Sequence, residues 1–285
     1  MIIDGKKCSE NILEGLKNQV AGFKEKLGKV PGLAVVIVGE NPASKIYVRS
    51  KVKACEKVGI YSKEIVLDEN ISEDELINVI EELNQDKSMN GILVQLPLPP
   101  HMNERRVCDA IDVDKDVDGF KAENLGKIML GDESGFISCT PQGIIHLIKE
   151  TKIDLVGKNA VVVGRSNIVG KPVASLLINE GATTTVCNSK TKNLSEILRK
   201  ADLIVMAIGN AKFLKKDMVK KGVVIIDVGI NRVDGKIYGD VDYEEVSKVA
   251  SHITPVPGGV GPMTIAMLLK NTVKAFNKEE LKNGN

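Results

Sequence analysis

Short, continuous apolar runs separated by longer segments of helical period constrain this chain more than any other feature. The strand candidates are 33–38 (LAVVIV), 63–67, 91–95, 160–163, 183–187, 203–208 and 223–228. Between them lie helix candidates near 6–27, 44–59, 72–86, 141–151, 170–180 and 263–277. Unbroken Val/Ile runs indicate strands buried on both faces, whereas a half-exposed strand alternates apolar and polar residues. Strand–helix alternation then builds parallel βαβ units. The reading is an α/β protein with two α/β domains, each built on a parallel sheet, and a cleft between them. Ligands of such folds sit in loops at the carboxyl ends of strands.

Length and composition set outer limits. At 285 residues the chain has room for two domains of ordinary size. The boundary is expected near 131–140 (GDESGFISCT), where Gly, Ser, Asp and Glu cluster. Lys+Arg of 39 against Asp+Glu of 38 leaves a net charge of +1, which gives no electrostatic reason for a nucleic-acid partner. Aromatics are 3%, with no Trp, too few for a base-stacking platform. No apolar run approaches the ~20 residues of a membrane span. The segment MIIDGKKCSE lacks a basic-then-apolar export pattern. The five cysteines, Cys8, Cys55, Cys108, Cys139 and Cys187, form no CxxC and fit a reduced cytoplasm. His101, His146 and His252 have no partner at metal-ligand spacing, so no metal is expected.

Residues 159–177 (NAVVVGRSNIVGKPVASLL) read as strand, turn and helix, with Pro172 in the first helical turn. A glycine-bearing strand-to-helix turn aims backbone N–H groups at a pyrophosphate. Here Gly164 and Gly170 are six apart, and Ser166 stands where a second glycine would be. A tight turn with close helix–sheet contact would leave the same pattern. NAD-binding units carry an acidic residue ~20 positions on, at the end of the next strand. This chain has Cys187-Asn188-Ser189 there. Arg165 could face a 2′-phosphate, with Ser189 as a donor, which favours NADP over NAD; a solvated surface arginine is the alternative.

Four further segments carry possible chemistry. Tyr47 and Lys51 are four apart and share a helix face; a partly buried lysine readily loses its charge and acts as a base. An ordinary solvated pair fits the spacing equally well. In 91–102 (GILVQLPLPPHM) a buried strand ends in Gln95 and then prolines that stop the strand. Gln95 is placed either to bond a ligand or to cap the strand end. The run 111–120 (IDVDKDVDGF) starts like an EF-hand loop, but position twelve would be Leu125 rather than the bidentate Glu. Most of its aspartates read as turn and capping residues; Asp118, before Gly119, could instead bind a polar heterocycle. Residues 252–269 (HITPVPGGVGPMTIAMLL) are dense in Gly and Pro and then helical. Such a loop either approaches a ligand closely or makes an awkward crossing.

Taken together and in order, Ser44-x-x-Tyr47-Val48-x-x-Lys51, GILVQLP at 91–97, KDVDGF at 115–120, GRSNIVG at 164–170 and PVPGGVGPMT at 255–264 resemble the bifunctional methylenetetrahydrofolate dehydrogenase/methenyltetrahydrofolate cyclohydrolases. The resemblance covers nearly the whole chain. It implies a folate-binding catalytic domain over 1–139, with a C-terminal helix, 263–285, packing back on it. It implies a Rossmann-like NADP domain over 140–262, a cytoplasmic homodimer, and no nucleic-acid or membrane partner. The implied activity is oxidation of 5,10-methylenetetrahydrofolate by NADP⁺ and hydrolysis of the methenyl product to 10-formyltetrahydrofolate. The implied catalytic set is Lys51, Tyr47, Gln95 and Asp118. Lys51 helps water add to the methenyl carbon, Gln95 orients it, Tyr47 stacks on the folate rings and Asp118 accepts from the pterin amino edge. Substrate contacts would add Ser44, Pro257, Gly258 and Gly259. Cofactor contacts would be Gly164, Arg165, Ser166, Ser189 and Ile230. Where the family commonly has His and Pro, this chain has Asn188 and Ser138; Ser138 is expected to loosen a hinge. A monofunctional dehydrogenase, a non-catalytic NADP-binding regulator and a quinate/shikimate-type dehydrogenase are the competing readings. The retained Lys51 and Asp118, and the GILVQLP and PGGVGPMT segments, argue against the last two.

Overall fold

In the computed structural model, which describes residues 1–283, the apolar runs form two separate parallel sheets. The chain runs α1 (Gly5–Leu27), β1 (Gly32–Val38), α2 (Pro42–Val58), β2 (Tyr61–Leu67), α3 (Glu73–Gln85), β3 (Gly91–Val94), α4 (Glu104–Asp109) and α5 (Ala122–Leu130). It continues through α6 (Cys139–Glu150), β4 (Asn159–Val163), α7 (Gly170–Asn179), β5 (Thr183–Cys187), α8 (Leu194–Lys200), β6 (Leu203–Met206) and β7 (Val224–Asp227). The hairpin β8 (Asn231–Val233) and β9 (Lys236–Tyr238) precedes α9 (Tyr243–Val246), β10 (His252–Ile253) and α10 (Val260–Asn283). Two compact units interleave along the sequence. The first holds residues 10–125, 134–139 and the described part of 265–285; the second holds 1–9, 126–133 and 140–264.

The first unit carries the parallel sheet β2-β1-β3. Every residue of β1 and β3 is buried, as their unbroken apolar runs require. The edge strand β2 instead mixes exposed and half-buried residues and buries none completely. Helix α3 shows why the local sequence folds as it does. Ser72 Oγ accepts the Glu75 N–H at 3.2 Å while Glu75 Oε2 accepts the Ser72 N–H at 2.9 Å, a reciprocal capping box. Leu76, Ile80 and Leu83 then fall on one face and bury against Ala34, Val36 and Ile92.

The second unit carries the parallel sheet β10-β7-β6-β4-β5. Strands β6 and β7 are fully buried and the edge β5 is mostly open. The order reverses at β4, which pairs with β5 on one side and β6 on the other. That reversal opens a crevice at the carboxyl end of β4. The N-terminal segment belongs to this unit for a visible reason: Ile3 N–H donates to Ile253 O at 2.9 Å, extending the β10 edge. Among the described residues no helix is long and apolar enough to cross a membrane.

Candidate active site

In the first unit, α2 leaves the carboxyl end of β1 and carries Ser44, Tyr47 and Lys51, while Gln95 follows β3 directly. The Gln95 N–H donates to Val36 O at 2.8 Å, so it prolongs the strand pairing by one residue. Its side chain turns to the helix: Lys51 Nζ donates to Gln95 Oε1 at 2.9 Å, and Gln95 Nε2 donates to Leu96 O at 2.7 Å. Lys51 is 9% exposed. Burial pushes its ammonium below the usual lysine range, and the Asp118 carboxylate partly restores it. Asp118 answers in kind. Desolvation lifts its carboxyl, while Lys51 and a hydrogen bond from the Cys139 thiol hold it down. Tyr47, one turn before Lys51, keeps 43% of its surface exposed and is free to lie against a planar ligand. Ser44 is buried, and its N–H donates to Asn41 Oδ1 at 3.2 Å.

The KDVDGF turn is fixed from three sides. Asp116, 2% exposed, accepts the N–H groups of Gly119, Phe120 and Lys121 and the Asn124 amide. Burial nevertheless lifts its carboxyl to about 6. Asn271 of α10 donates to Val117 O at 2.8 Å and Ile137 O at 2.9 Å. Ser138, expected to loosen this region, is fully buried and donates to Gly119 O at 2.8 Å. A Cβ on Gly119 would sit 2.7 Å from Ser138 N, and its φ is +72°, a left-handed value that suits glycine. Lys51, Gln95 and Asp118 are thus brought together, with Tyr47 one helical turn away. The reading of most aspartates in 111–120 as turn and capping residues holds for Asp116, whose bonds to Gly119, Phe120 and Lys121 are local; the supports Cys139 and Asn271, whose signal is tertiary, were missed.

In the second unit, β4 ends at Gly164, with φ +130°. A Cβ there would meet Ala207 O at 2.3 Å, and one on Gly170 would meet Gly164 O at 2.3 Å. Both glycines are therefore obligatory for this turn. Ser166 takes the place of a second glycine by a different device: its Oγ accepts the N–H groups of Val169 (3.2 Å) and Gly170 (3.3 Å), where α7 starts. Arg165 is exposed and has no ion-pair partner among the described residues. Ser189, after β5, is exposed as well, and Ile230, after β7, is 49% exposed. Asn188 Oδ1 accepts the Lys190 N–H at 3.0 Å. A strand-end glycine cradle, a free arginine and no carboxylate at the end of β5 fit a dinucleotide that bears a 2′-phosphate. Pro257, Gly258 and Gly259 belong to this unit rather than to that of Lys51. Gly258 O accepts the Lys6 N–H at 3.0 Å, and Gly259 packs where a Cβ on Gly5 would need to be.

Residues 3–118 match the family model described as the tetrahydrofolate dehydrogenase/cyclohydrolase catalytic domain, and residues 138–280 match that family's NAD(P)-binding domain. The chain is 55% identical over 275 residues to the bifunctional protein FolD of Acetivibrio thermocellus, covering 96% of both chains. It superposes on the crystal structure of the bifunctional methylenetetrahydrofolate dehydrogenase/cyclohydrolase of Campylobacter jejuni with a TM-score of 0.96, at 55% identity and over 98% and 99% of the two chains. The Trypanosoma brucei dehydrogenase-cyclohydrolase, solved with NADP and an inhibitor, gives a TM-score of 0.94 at 35% identity over 98% of each chain. Matched in both halves and nearly end to end, the chain belongs to the tetrahydrofolate dehydrogenase/cyclohydrolase family.

Proposed function

We propose that the two units divide the work of a bifunctional enzyme, the first holding the folate and its hydrolytic chemistry and the second holding NADP. The enzyme oxidises 5,10-methylenetetrahydrofolate to the methenyl form and hydrolyses that to 10-formyltetrahydrofolate. The observation that carries the reading is the buried Lys51 ammonium, held at 2.9 Å by Gln95 and opposed by Asp118.

In hydrolysis, water adds to the methenyl carbon of the cation. Lys51, disposed to neutrality by burial, takes a proton from that water as the C–O bond forms. The proton passes to N5 as the C–N5 bond breaks; the hydroxyl proton leaves as the formyl C=O forms. One proton of the water thus ends on N5 and the other in solution. Gln95 keeps the lysine lone pair aimed, since its other end is pinned to Leu96 O. Tyr47 stacks on the folate rings, which suits a cation. Asp118 accepts from the pterin amino edge, and Ser44 supports the start of α2 beside it.

In oxidation, NADP⁺ is the hydride acceptor when bound. Gly164, Ser166 and the start of α7 receive its pyrophosphate, Arg165 and Ser189 its 2′-phosphate, and Ile230 backs the nicotinamide end. Pro257, Gly258 and Gly259 are assigned to the folate's route past this unit. These residues align the reacting carbons and exclude water. The five described cysteines are free, which supports the cytoplasm as the setting. A homodimer follows from the family resemblance, and sedimentation tests it.

Two assays test the division. Arg165→Ala is expected to raise KM for NADP⁺ about tenfold, the ~1.4 kcal/mol of one charged contact, with little change for NAD⁺. Hydrolysis of methenyltetrahydrofolate without cofactor should stay at the wild-type rate. Equal effects on both cofactors, or parallel loss of hydrolysis, contradict the reading.

A further inference from the structure

Two carboxylates outside the proposed chemistry lie buried at the carboxyl end of the second unit's sheet. Asp227 closes β7 and Asp240 follows the β8–β9 hairpin; they are 2% and 0% exposed. Asp227 Oδ1 accepts the N–H groups of Gly229 (3.0 Å) and Asp240 (2.9 Å), and Oδ2 accepts that of Val241 (2.9 Å). Asp240 Oδ2 accepts the N–H groups of Ile208 (2.7 Å) and Gly209 (3.0 Å). Its Oδ1 accepts Asn210 N–H (2.8 Å) and Asn231 Nδ2 (2.9 Å). Among the described residues neither carboxylate makes an ion pair. Two glycines make the room. A Cβ on Gly229 would lie 2.2 Å from Asp240 Oδ1, and one on Gly239 would lie 1.9 Å from Asp227 Oδ2.

Successive backbone N–H groups converging on one point form a nest of the kind that takes phosphate. The nest at residues 208–210 is already filled by the protein's own anion. A dinucleotide pyrophosphate therefore has the turn at 164–170 to itself. The same carboxylate, through Asn231, joins the loop after β6 to the loop after β7, which carries the exposed Ile230. The loop after β6 also touches the nucleotide turn, since Ala207 O fills the space beside Gly164. One residue thus sets the wall next to the cradle.

We propose that Asp240 is a positioning residue for the cofactor: its carboxylate fixes residues 208–210 and Asn231 in the shape that receives the nicotinamide half of NADP. The inference rests on the reading of the second unit as the NADP unit.

The test is the Kd for NADP⁺ by calorimetry on the full chain, with amide exchange at 208–210 in the cofactor-free protein. Asp240→Asn puts an NH₂ group against N–H donors. It should weaken NADP⁺ binding by between about ten- and a hundredfold, the scale of a misplaced wall, and speed exchange at 208–210. Cofactor-independent methenyl hydrolysis by the same sample should stay within about twofold of wild type, because a site on the other unit loses only what misfolding removes. The exchanged pair Asp240→Asn/Asn231→Asp restores a carboxylate to the cluster and should recover part of the affinity. Unchanged Kd, binding and hydrolysis falling by one common factor, or a double variant no better than the single, each overturns the inference. If Asp240→Asn does not fold, Asn231→Ala removes one of the four bonds and must show the same split at roughly threefold, about half the free energy of the tenfold effect; no split overturns the inference. Wild-type protein that fails to bind NADP⁺ would overturn the reading of the unit instead.

Discussion

Lys51→Met keeps the length and apolar stem of the side chain and removes only the nitrogen. In the wild type that nitrogen is buried, donates to Gln95 at 2.9 Å and faces Asp118. Loss of a positioned acid–base group slows its step ~10²–10⁴-fold, or ~3–5 kcal/mol of transition-state stabilisation at 1.36 kcal/mol per decade. Stability should change far less, because the variant also abolishes the burial of an ammonium. The sign of the pH dependence is specific. The Asp118 carboxyl is raised by desolvation and held down by Lys51. Without the ammonium its folded pKa rises further above the unfolded value. An acid with a raised folded pKa binds more protons folded than unfolded, so stability is lost as pH rises through that folded pKa. The wild-type minus variant gap in unfolding free energy should therefore widen as pH rises from the unfolded carboxylate value through the variant's raised Asp118 pKa. The assays are methenyl absorbance decay without cofactor and urea unfolding at several pH values. Hydrolysis retained within about tenfold of wild type, below the acid–base range, would refute the assignment of the proton transfer to Lys51.

Three further outcomes follow from the same structure. Gly164→Ala forces a side chain into φ +130° and against Ala207 O at 2.3 Å; strain and overlap together should cost about 2–5 kcal/mol. Calorimetry showing an unchanged Tm would contradict that geometry. Asp116 titrates at about 6 when folded against a reference of 3.8, so stability falls as pH rises from about 4 to 6, by ~3 kcal/mol in total at ~1.4 kcal/mol per unit. Asp116→Asn should flatten that slope in urea titrations, and an unaltered slope would refute it. Asn271→Ala orphans the Ile137 carbonyl and leaves Val117 O only the weak Cys139 thiol donor, and should destabilise by ~1–3 kcal/mol. It should also lower kcat for hydrolysis through the misplaced Asp118; intact hydrolysis in the folded variant would sever that link.

The sheets were legible in the sequence because a strand buried on both faces leaves no choice of residue. β1, β3, β6 and β7 are such strands. The edges β2 and β5 were legible only as parts of βαβ units, since their exposed positions dilute the pattern. Short helices escaped. α4 is held by Asn103 accepting the N–H groups of Arg105 and Arg106, and α8 by packing of Leu198; neither is long enough to show a period. The β8–β9 hairpin carries its own local sign in Asp234-Gly235, both at positive φ, the residue pair a tight hairpin turn requires. At the site, Lys51, Gln95 and Asp118 could be placed on their elements one by one. Their meeting depends on long-range pairing of β1 with β3 and on the Asn271 bonds, which no local spacing encodes; the Asp116 bonds lie within its own turn and belong to the capping reading of 111–120. Asp240 was invisible for the same reason: its partners lie 30–32 residues away at 208–210.

The most direct test of the whole account is turnover of 5,10-methylenetetrahydrofolate by purified protein with NADP⁺ and, separately, with NAD⁺. Reduced cofactor and methenyl absorbance are followed together, and methenyl hydrolysis is then measured directly. Reduction with NADP⁺, little with NAD⁺, no methenyl build-up and rapid direct hydrolysis are expected. Methenyl accumulation above the uncatalysed balance, or preference for NAD⁺, would contradict this expectation.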